Sequence, residues 1–424
     1  VSNTATAVDD LWHAAVNGRG KYFSAKNPKD AADGLREALS DILKVTGAAA
    51  ASATSSPNVT QTDNYIYSTT YQTTYWDGEI IAQKINTQTG EVIQDVEWKA
   101  SDSVNNQANA LSTNANARTL FTLNTSATGE DKKKTFDFAS LTATEKAWFT
   151  NRCATKQLSQ CSDNTILSEG RPFADQPENM INFLRGQNDS DVFSSNGKVF
   201  GYLDIYRNLR GNRLGDTVNS VPLFVNKPFY LFDYELPTGY ESYSHFKTRV
   251  ASRPGVLYVG SNDGMLHAFD DSTGTEMFGY VPRTTMPEMW KLASQNYEHQ
   301  YYVDGSPVTM DVTDSSGNWR TIVVGGYRKG GAGYYGLDVT DPSNPKLLWE
   351  VCNSSALCNN VIPNMGLSFG NPVITRMPDG TSVAGKWSVL VTSGYNNVPS
   401  MVTQPSASAT PSGDGKGYLF VLDP

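Results

Sequence analysis

The sequence predicts a mainly β fold, a modified β-propeller, preceded by the C-terminal tail of a smaller α/β domain. From residue 63 onward, short runs of alternating apolar and polar residues are flanked by Gly, Asn or Asp, as expected for strands joined by tight turns. A diffuse repeat recurs on these runs. Charged residues make up only 18% of the chain, and 21 Tyr, 17 Phe and 8 Trp supply the aromatic residues that strands favour.

The first 47 residues are predicted to belong to a separate α/β unit. A helix is expected over residues 27–45, because Asn27 is a suitable N-cap, Pro28 fits the first helical position, and apolar residues recur at spacings of three and four. The small residues that follow have little to bury and predict a linker. We therefore expect a domain tail at 1–47, a linker at 48–62 and a propeller domain at 63–424.

The repeat on the predicted strands has four copies, near residues 76–98, 262–276, 333–350 and 417–423. In the clearest copies an Asp-Gly pair opens a strand, and a Thr-Gly or Asp-Pro turn reverses the chain into the next strand. Four-stranded sheets arranged radially form a β-propeller, in which each blade covers the apolar face of its neighbour. Because the last copy stops at Pro424, we expect a propeller that is incomplete at its C-terminus.

A long irregular region separates the first two copies, at about residues 100–215. It contains one phrase with helical character, at 141–149, among polar loops rich in Ser, Thr and Asp. Long loops with little regular structure are usually functional or disordered. This region is therefore expected to be one or the other.

The four cysteines fall into two close pairs, Cys153 with Cys161 and Cys352 with Cys358, each in a polar stretch. Two local disulfides are the favoured interpretation, because a zinc site needs tighter Cys or His spacing. Disulfides indicate export. Since Val1 is not preceded by a signal peptide, we expect a processed or truncated portion of a longer exported chain.

The net charge of the chain limits its partners. It is -9 at pH 7, and the one basic run, 132–134, lies beside two acidic residues. Nucleic-acid binders need clustered Lys and Arg, so no nucleic-acid partner is expected. No stretch approaches the roughly 20 apolar residues that span a bilayer, so the chain is not expected to cross a membrane.

Three ionisable residues near predicted strand ends are candidates for chemistry. A catalytic role for His267 needs a nucleophile or a metal nearby, which the sequence does not supply. We therefore predict a structural histidine that binds the backbone across the blade. Asp216 and Asp304 could be the paired acids of a hydrolase. Acids beside Gly at strand ends usually accept turn amide hydrogens, however, and that role is favoured.

Three further segments could bind ligands. Residues 311–318 bring oxygen side chains together as a calcium loop requires, but they lack the closing Glu, and a polar hairpin turn is favoured. The Gly-rich residues 325–333 lack the order of a P-loop and predict a flexible hairpin tip between two blade strands. The aromatic residues 229–234, followed by Tyr240, Tyr243, His245 and Phe246, are either a binding surface or blade core.

A series of phrases resembles, in the same order, the PilY/PilC family of type IV pilus biogenesis factors and tip adhesins. The most specific is Tyr-Val-Gly-Ser-Asn-Asp-Gly-Met-Leu-His-Ala-Phe at 258–269. The others lie at 12–23, 76–78, 181–186, 213–222, 302–307 and 336–342. Together they extend over nearly the whole chain.

The resemblance implies an exported, non-enzymatic protein at the pilus tip, the cell surface or the outer membrane of a Gram-negative bacterium. It implies a von Willebrand A-like domain, whose tail is residues 1–47, followed by a propeller with quinoprotein-like blades. Such proteins promote pilus extension and twitching motility, act with minor pilins, and contribute to surface or host adhesion, including contact with a host-cell receptor.

Two motifs of some family members are missing from this sequence. No run of alternating Asp and Asn matches the family's calcium loop, so calcium is possible but no cofactor is certain. Residues 210–212, Arg-Gly-Asn, do not supply the Arg-Gly-Asp motif that binds integrins.

Two other functions remain open for a propeller. Quinone-dependent dehydrogenases share the Asp-Gly and Thr-Gly turns, but many have adjacent cysteines at the site, which this chain lacks. Propeller lectins bind glycans with exposed Trp and Asp, and Trp76, Trp290 and Trp349 are the candidates here.

Overall fold

The structure is a computed structural model that describes residues 46–54, 64–163, 168–189, 193–195, 197–209, 212–232, 236–378, 385–397 and 413–424. The chain divides into two compact units, residues 1–47 with 72–76 and residues 48–71 with 77–424. Most of the described residues belong to the second unit. The predicted helix at 27–45 and most of the expected domain tail lie outside the described residues.

The described part of the chain is built mainly from antiparallel sheets. Sheet 1 has the order β1-β2-β3-β4 and contains β1 (Thr46–Thr54), β2 (Tyr65–Gln72), β3 (Asp77–Ile85) and β4 (Val92–Lys99). Sheet 2 has the order β6-β5-β12-β11-β10-β9 and contains β5 (Leu120–Leu123), β6 (Lys133–Thr135), β9 (Leu223–Val225), β10 (Val256–Gly260), β11 (Leu266–Asp270) and β12 (Glu276–Tyr280). A separate hairpin joins β7 (Phe193–Ser195) to β8 (Lys198–Phe200).

Sheets 3 and 4 follow in the second half of the chain. Sheet 3 contains, in spatial order, β13 (Val308–Thr313), β14 (Trp319–Gly326), β15 (Gly333–Asp338), β16 (Lys346–Cys352) and the short β17 (Asn360–Val361). Sheet 4 contains β18 (Val373–Met377), β19 (Lys386–Thr392) and β20 (Leu419–Leu422). In each of sheets 1 to 3, four strands that follow one another in the chain also lie side by side in that order, which is the pattern of a propeller blade. The predicted mainly β fold is confirmed.

The repeat predicted from sequence occupies the same place in three sheets. Its copies contain the third and fourth blade strands, β3 and β4, β11 and β12, and β15 and β16. In each pair the register shifts after an equivalent small residue, Ala82, Ala268 or Gly336, and the β3–β4 pair has a second shift between Gln83 and Ile85. A Cβ on Gly336 would lie 2.5 Å from the Trp349 ring, so the bulge needs a small residue at this position.

The region between sheets 1 and 2 contains short helices rather than an extended irregular loop. These are α1 (Ala100–Ala110), α2 (Ala143–Ala147), α3 (Ser159–Ser162), α4 (Arg171–Ala174), α5 (Pro177–Leu184) and α6 (Tyr202–Ile205). A capping box between Thr142 and Glu145 begins α2 inside the predicted helical phrase. Buried residues from these helices, such as Phe173 and Ile181, share one core. The expectation of a long loop is therefore wrong for the described part of this region. Its apolar residues form a core although they do not follow a regular helical or strand spacing in the sequence.

Part of the segment for which a linker was predicted lies in sheet 1. Thr46–Thr54 forms β1, next to β2, whereas the linker was expected at 48–62. Small side chains have little to bury, but a strand at the edge of a sheet needs only its backbone hydrogen bonds to be held there. Residues 55–63 lie outside the described residues.

Both predicted disulfides are confirmed. Cys153 pairs with Cys161 and Cys352 with Cys358, at Cα separations of 5.2 and 5.9 Å. Both cysteines of the first bond lie in the core of the helical region. The second bond connects Cys352, the last residue of β16, to Cys358 in the loop that follows. Within the described residues, no helix is both long enough and apolar enough to cross a membrane.

Removing the first disulfide should destabilise the helical region. We expect Cys153→Ala with Cys161→Ala to lower the free energy of unfolding by roughly 2–3 kcal/mol, because the closed loop restricts the unfolded chain. Thermal unfolding followed by circular dichroism tests this. An unchanged melting temperature in the double variant would contradict it, and the Cys352→Ala/Cys358→Ala pair shows whether the effect is local.

Candidate interaction surface

The aromatic segment after β9 presents alternate side chains to solvent. Phe229 is 69% exposed and Leu231 is 88% exposed, whereas Tyr230 and Phe232 pack against a buried core. The described part of this segment is therefore divided, with Tyr230 and Phe232 in the core as one interpretation predicted, and with Phe229 and Leu231 exposed, as a binding surface would require. Large apolar side chains with this exposure are typical of surfaces that bind a partner.

Three elements hold the inward side of this segment. The ring of Phe232 stacks on Trp319 of β14 with centroids 5.1 Å apart and meets Trp387 of β19 edge-on at 5.6 Å. Tyr243, in α7 (Tyr243–Arg249), meets Phe232 edge-on at 4.8 Å. Such offset and edge-on pairs are favoured by the ring quadrupoles, so Phe232 fixes the segment to sheets 3 and 4.

Glu241 holds Trp319 in place. The Trp319 backbone N–H donates to the Glu241 carboxylate at 2.9 Å, and the Trp319 indole N–H donates to the Glu241 carbonyl at 2.9 Å. Arg249 donates to both the Glu241 carboxylate and the Trp319 carbonyl. Burial raises the pKa of Glu241, but hydrogen bonds from Arg249 and Trp319 outweigh it and lower the pKa. No local sequence pattern predicts this arrangement, because Glu241 and Trp319 lie far apart in the chain.

A polar groove of about 870 Å³ begins beside Trp319. It is lined by the turns that join β13 to β14 and β15 to β16, by the start of α7 and by Glu130. The lining has five acidic residues, Glu130, Glu241, Asp314, Asp338 and Asp341, and four basic or ionisable ones, His245, Arg249, Arg320 and Lys346. Glu130 pairs with Arg320 and Lys346, so the charges of these acidic and basic side chains offset one another and the net charge of the groove is small.

Residues 311–318 form the hairpin turn that was favoured over a calcium loop. The Asp314 carboxylate accepts the backbone N–H groups of Ser316 and Asn318, at 2.8 and 2.9 Å. Asp311 lies on β13, buried, and accepts the hydroxyls of Tyr243 and Thr321 at 2.6 Å each. Burial raises the pKa of Asp311 above its ordinary value despite these bonds. The two carboxylates are thus held by different partners.

His267 binds two carboxylates, not the backbone that was predicted. Its Nδ1 lies 2.7 Å from Glu276 and its Nε2 lies 3.0 Å from Asp263. The sequence showed the nearby acids, but not that strand pairing turns Glu276 of β12 toward the ring on β11. The histidine is fully buried, and its contacts are structural in character.

Arg118 extends this cluster into a buried charge chain, which we define as Arg118, Glu276, His267 and Asp263. The Arg118 guanidinium donates to both Glu276 oxygens, at 2.6 and 2.9 Å. Asp263 accepts the backbone N–H of Gly215 at 2.9 Å. Charges alternate in sign along the chain when His267 is protonated, which is the condition for tolerating buried charge.

The pKa values follow from that alternation. Burial alone lowers the pKa of His267, but Asp263 and Glu276 outweigh it and raise the pKa to about 9. Burial raises the pKa of Glu276, but Arg118 and His267 outweigh it and lower the pKa to about 2. All four groups are therefore charged at neutral pH.

Asp216 and Asp304 have separate partners and show no contact with each other. Asp216 accepts from the Asn262 side chain at 2.6 Å and lies 3.0 Å from His299 Nε2. Asp304 accepts from the Asn219 backbone and side chain, at 3.1 and 2.8 Å. Asp304 thus accepts a backbone amide, but from Asn219, 85 residues away, and not from its own turn as predicted, and the two partners named for the Asp216 carboxylate are side chains. Burial raises the pKa of Asp304 to about 6.

The Gly-rich residues 325–333 do connect β14 to β15, but they are not a flexible tip. Most of them are buried. A Cβ on Gly330 would lie 1.9 Å from the Tyr302 carbonyl, so the connection packs backbone against backbone. The expectation of flexibility is wrong, because glycines here permit close approach instead of mobility.

The tryptophans considered for glycan binding differ in exposure. Trp349 is 8% exposed and therefore belongs to the core. Trp76 and Trp290 are partly exposed, and the Trp290 ring lies under Arg152 at 5.0 Å.

A family model and sequence relatives, compared with this chain separately, both carry the name PilY1. Residues 214–423 match the family model described as the PilY1 beta-propeller domain. The chain is 31% identical over 414 residues to the type IV pilus biogenesis factor PilY1 of Pseudomonas aeruginosa strain PAO1, covering 94% of this chain and 31% of that protein. It is 43% identical over 218 residues to a PilY1 homolog of Xylella fastidiosa, covering 51% of this chain and 16% of that protein.

One solved structure is also similar, the C-terminal domain of Pseudomonas aeruginosa PilY1. It is 34% identical, with a TM-score of 0.31, and the match covers 43% of this chain and 30% of that one. This chain spans about a third of the length of the Pseudomonas aeruginosa relative.

Neutralising Glu276 should destabilise the protein strongly. We expect Glu276→Gln to cost about 3–5 kcal/mol in the free energy of unfolding, since Arg118 and His267 are left as buried cations without their shared carboxylate. Urea unfolding of the purified protein measures this. Glu130→Gln, which changes an exposed acid, is the control and should cost less than about 1 kcal/mol. Equal costs in the two variants would contradict the prediction.

The contribution of His267 should depend on pH in a defined window. Because its pKa is about 9 in the folded state and near 6.5 when unfolded, its charge stabilises the fold fully below pH 6.5, and the contribution is lost as pH rises through 9. We expect the stability difference between wild type and His267→Gln to shrink by about 3 kcal/mol over that range. A difference that is constant from pH 6 to pH 10 would show that folding does not shift the pKa of the ring.

Proposed function

Because this chain belongs to the PilY1 family of type IV pilus biogenesis factors, we propose that it acts in pilus assembly by binding proteins, without catalysis. In this role it promotes pilus extension and twitching motility and contributes to surface or host adhesion. The partner of the candidate interaction surface is a minor pilin at the pilus tip. A host-cell receptor is a further partner of the same protein.

The observation that carries this proposal is the exposure of Phe229 and Leu231 on an ordered aromatic support. Binding energy at protein interfaces is concentrated in a few large side chains surrounded by polar residues. Here the support is Phe232 on Trp319, and the polar surroundings are the groove beside it. Little conformational entropy is lost on binding when the anchors are already held in place.

The proposed location is outside the cytoplasm, at the pilus tip, the cell surface or the outer membrane. Two disulfides support export, since such bonds persist in oxidising compartments. We propose that residues 1–47 are the tail of a von Willebrand A-like domain and that 63–424 belong to the propeller. Among the described residues, no group of three or more His, Cys, Asp or Glu is arranged to hold a metal ion.

A non-catalytic role is supported by how the candidate acids are used. Asp216, Asp304, His267 and Glu276 are each engaged by other side chains or by backbone amides. None of these contacts brings a nucleophile to a base in an open site, which is the arrangement that hydrolytic catalysis needs. Turnover of a quinone-linked alcohol by the purified protein would contradict the proposal.

Truncating the exposed apolar pair should weaken partner capture. We expect Phe229→Ala with Leu231→Ala, in the full-length protein, to reduce capture of minor pilins by about tenfold, as loss of interface hot spots does. Pull-down from the producing bacterium and the width of twitching zones measure the effect. Thermal unfolding should change little, because both side chains are exposed.

The matched control is Ile93→Ala with Val96→Ala, which removes two apolar side chains that are 40% and 41% exposed on β4. Capture should be unaffected in this variant. Equal loss in both variants would indicate general surface hydrophobicity and would contradict a specific site. Running the pull-down with calcium and with a chelator tests for a metal requirement, which the proposal does not include.

A further inference from the structure

A second surface combines aromatic rings with two cations at the connection between β14 and β15. We define the cation-aromatic patch as Tyr301, Arg328, Lys329, Phe369 and Tyr395. Tyr395 is 62% exposed and Phe369 is 40% exposed, and Lys329 is also exposed. None of these residues belongs to the aromatic segment or to the groove described above.

Each cation of the patch lies over an aromatic ring. The Arg328 guanidinium is 5.4 Å from the centre of the Phe369 ring, and Lys329 Nζ is 4.9 Å from the centre of the Tyr301 ring. Phe369 and Tyr395 meet edge-on with their centroids 6.0 Å apart. The contacts thus form two groups, Arg328 with Phe369 and Tyr395, and Lys329 with Tyr301, which are adjacent because Arg328 and Lys329 follow each other in the chain. In each group a ring holds the cation in place.

The backbone beneath the patch is closely held. Isolated bridges join Arg328 to Ser368 and Leu367 to Tyr395, and these link the sheet 3 connection to the two segments beside sheet 4. Arg328 has a φ of 51°, in the left-handed region that a non-glycine residue rarely adopts. Such a conformation persists only where the surroundings enforce it, and it is concentrated at functional positions.

The cations of the patch have unused hydrogen-bonding capacity. In the described part of the chain, neither the Arg328 nor the Lys329 side chain donates a hydrogen bond, and the Nε of Arg328 is buried without an acceptor. Asp304 is an acidic neighbour of Arg328, with an oxygen 3.5 Å from Arg328 Nε. Burial, and then the charges of Asp304 and Asp216, raise the pKa of Tyr301, so both acids lie near the patch. Asp304 already accepts two hydrogen bonds from Asn219. The outer edge of the guanidinium can therefore bind a carboxylate through two parallel hydrogen bonds.

We propose that the cation-aromatic patch binds an acidic peptide segment of a partner protein, one that carries carboxylates beside an aromatic side chain. Arg328 and Lys329 match the carboxylates, and Phe369 with Tyr395 match the apolar or aromatic side chain. This inference rests on the proposed function for the identity of the partner as a protein. It adds a second contact with a chemistry that differs from that of Phe229 and Leu231.

Charge favours a short acidic peptide over other anions. Two cations are too few to bind along a nucleic-acid backbone. The chain as a whole carries a net charge of -9, which opposes any long polyanion, so the ligand is expected to present only a few carboxylates. The paired aromatic rings add apolar area that a free phosphate or an inorganic anion would leave uncovered. An acidic glycan is the alternative ligand, and the experiment separates it from the peptide.

The test measures binding of labelled synthetic peptides to the purified full-length protein by fluorescence anisotropy. One peptide is rich in Asp and Glu around a single Trp, a second carries Asn and Gln in place of the acids, and a third carries Ala in place of Trp. We expect the acidic peptide to bind, and each altered peptide to bind at least about tenfold more weakly. Sialyllactose and heparin serve as glycan competitors and should not displace the acidic peptide.

Variants locate the site. Arg328→Gln with Lys329→Gln should weaken binding of the acidic peptide by at least about tenfold. The control is Lys84→Gln with Lys386→Gln, which makes the same change in charge on exposed residues elsewhere and should leave binding unchanged. Phe369→Ala alone provides a second variant at an exposed side chain if the double variant fails to fold. Unchanged binding in Phe369→Ala and in the folded charge variant would overturn the proposal, as would displacement by the glycans or equal binding of the amide peptide.

Failure of this inference is distinguishable from failure of the proposed function. The Phe229→Ala/Leu231→Ala variant should still bind the acidic peptide, because its substitutions lie outside the patch. If the patch variants bind the peptide normally while the aromatic variant loses minor pilins, the patch proposal is wrong and the proposed function stands. Loss of peptide binding in the patch variants supports the patch, whatever the aromatic variant does.

Discussion

The buried charge chain of Arg118, Glu276, His267 and Asp263 connects parts of the fold that are distant in sequence. Arg118 precedes β5 in the helical region, and Glu276 and His267 lie on neighbouring strands of sheet 2. Asp263 accepts a hydrogen bond from Gly215, which lies between the helical region and β9. Arg118 also donates to the Arg185 carbonyl after α5. Buried ion pairs of this kind add little net stability compared with apolar packing, but removing one member is costly. Their effect is to allow one arrangement of the helical region on sheet 2.

This constraint explains how polar residues come to occupy the centre of a β protein. The sheet 2 strands are buried along almost their whole length, and His267 sits among them with no exposed surface. A histidine there needs acceptors on both ring nitrogens, and the two acids supply them. The acids in turn need cations, which Arg118 and the ring itself provide. Each group is satisfied only when all are present, so the cluster forms as a unit.

Much of the fold could be predicted from sequence because it depends on local patterns. The third and fourth blade strands were identified from Asp-Gly and Thr-Gly turns, and the disulfides from cysteine pairs only 8 and 6 residues apart. The buried charge chain could not be predicted in full, since Arg118 lies 158 residues from Glu276 and no local pattern joins them. For residues 229–234 the sequence left a binding surface and a buried core as alternatives, because similar residues alternate between the two sides of the segment, and only the structure shows that Phe229 and Leu231 are the exposed ones. The composition of residues 325–333 predicted a mobile connection. The structure shows that Gly330 instead allows the backbone to pack closely against Tyr302, a contact that composition does not reveal.

The two proposed surfaces lie at opposite ends of sheet 3. The groove and the aromatic segment adjoin the turns from β13 to β14 and from β15 to β16, while Arg328 and Lys329 lie on the connection from β14 to β15. In an antiparallel meander, successive turns alternate between the ends of the sheet. The 8 residues of β14 separate the ends by roughly 26 Å, at about 3.3 Å per residue. If both proposed surfaces bind partners, one partner can occupy each end without excluding the other, and the paired strands of sheet 3 keep the two contacts at a fixed spacing.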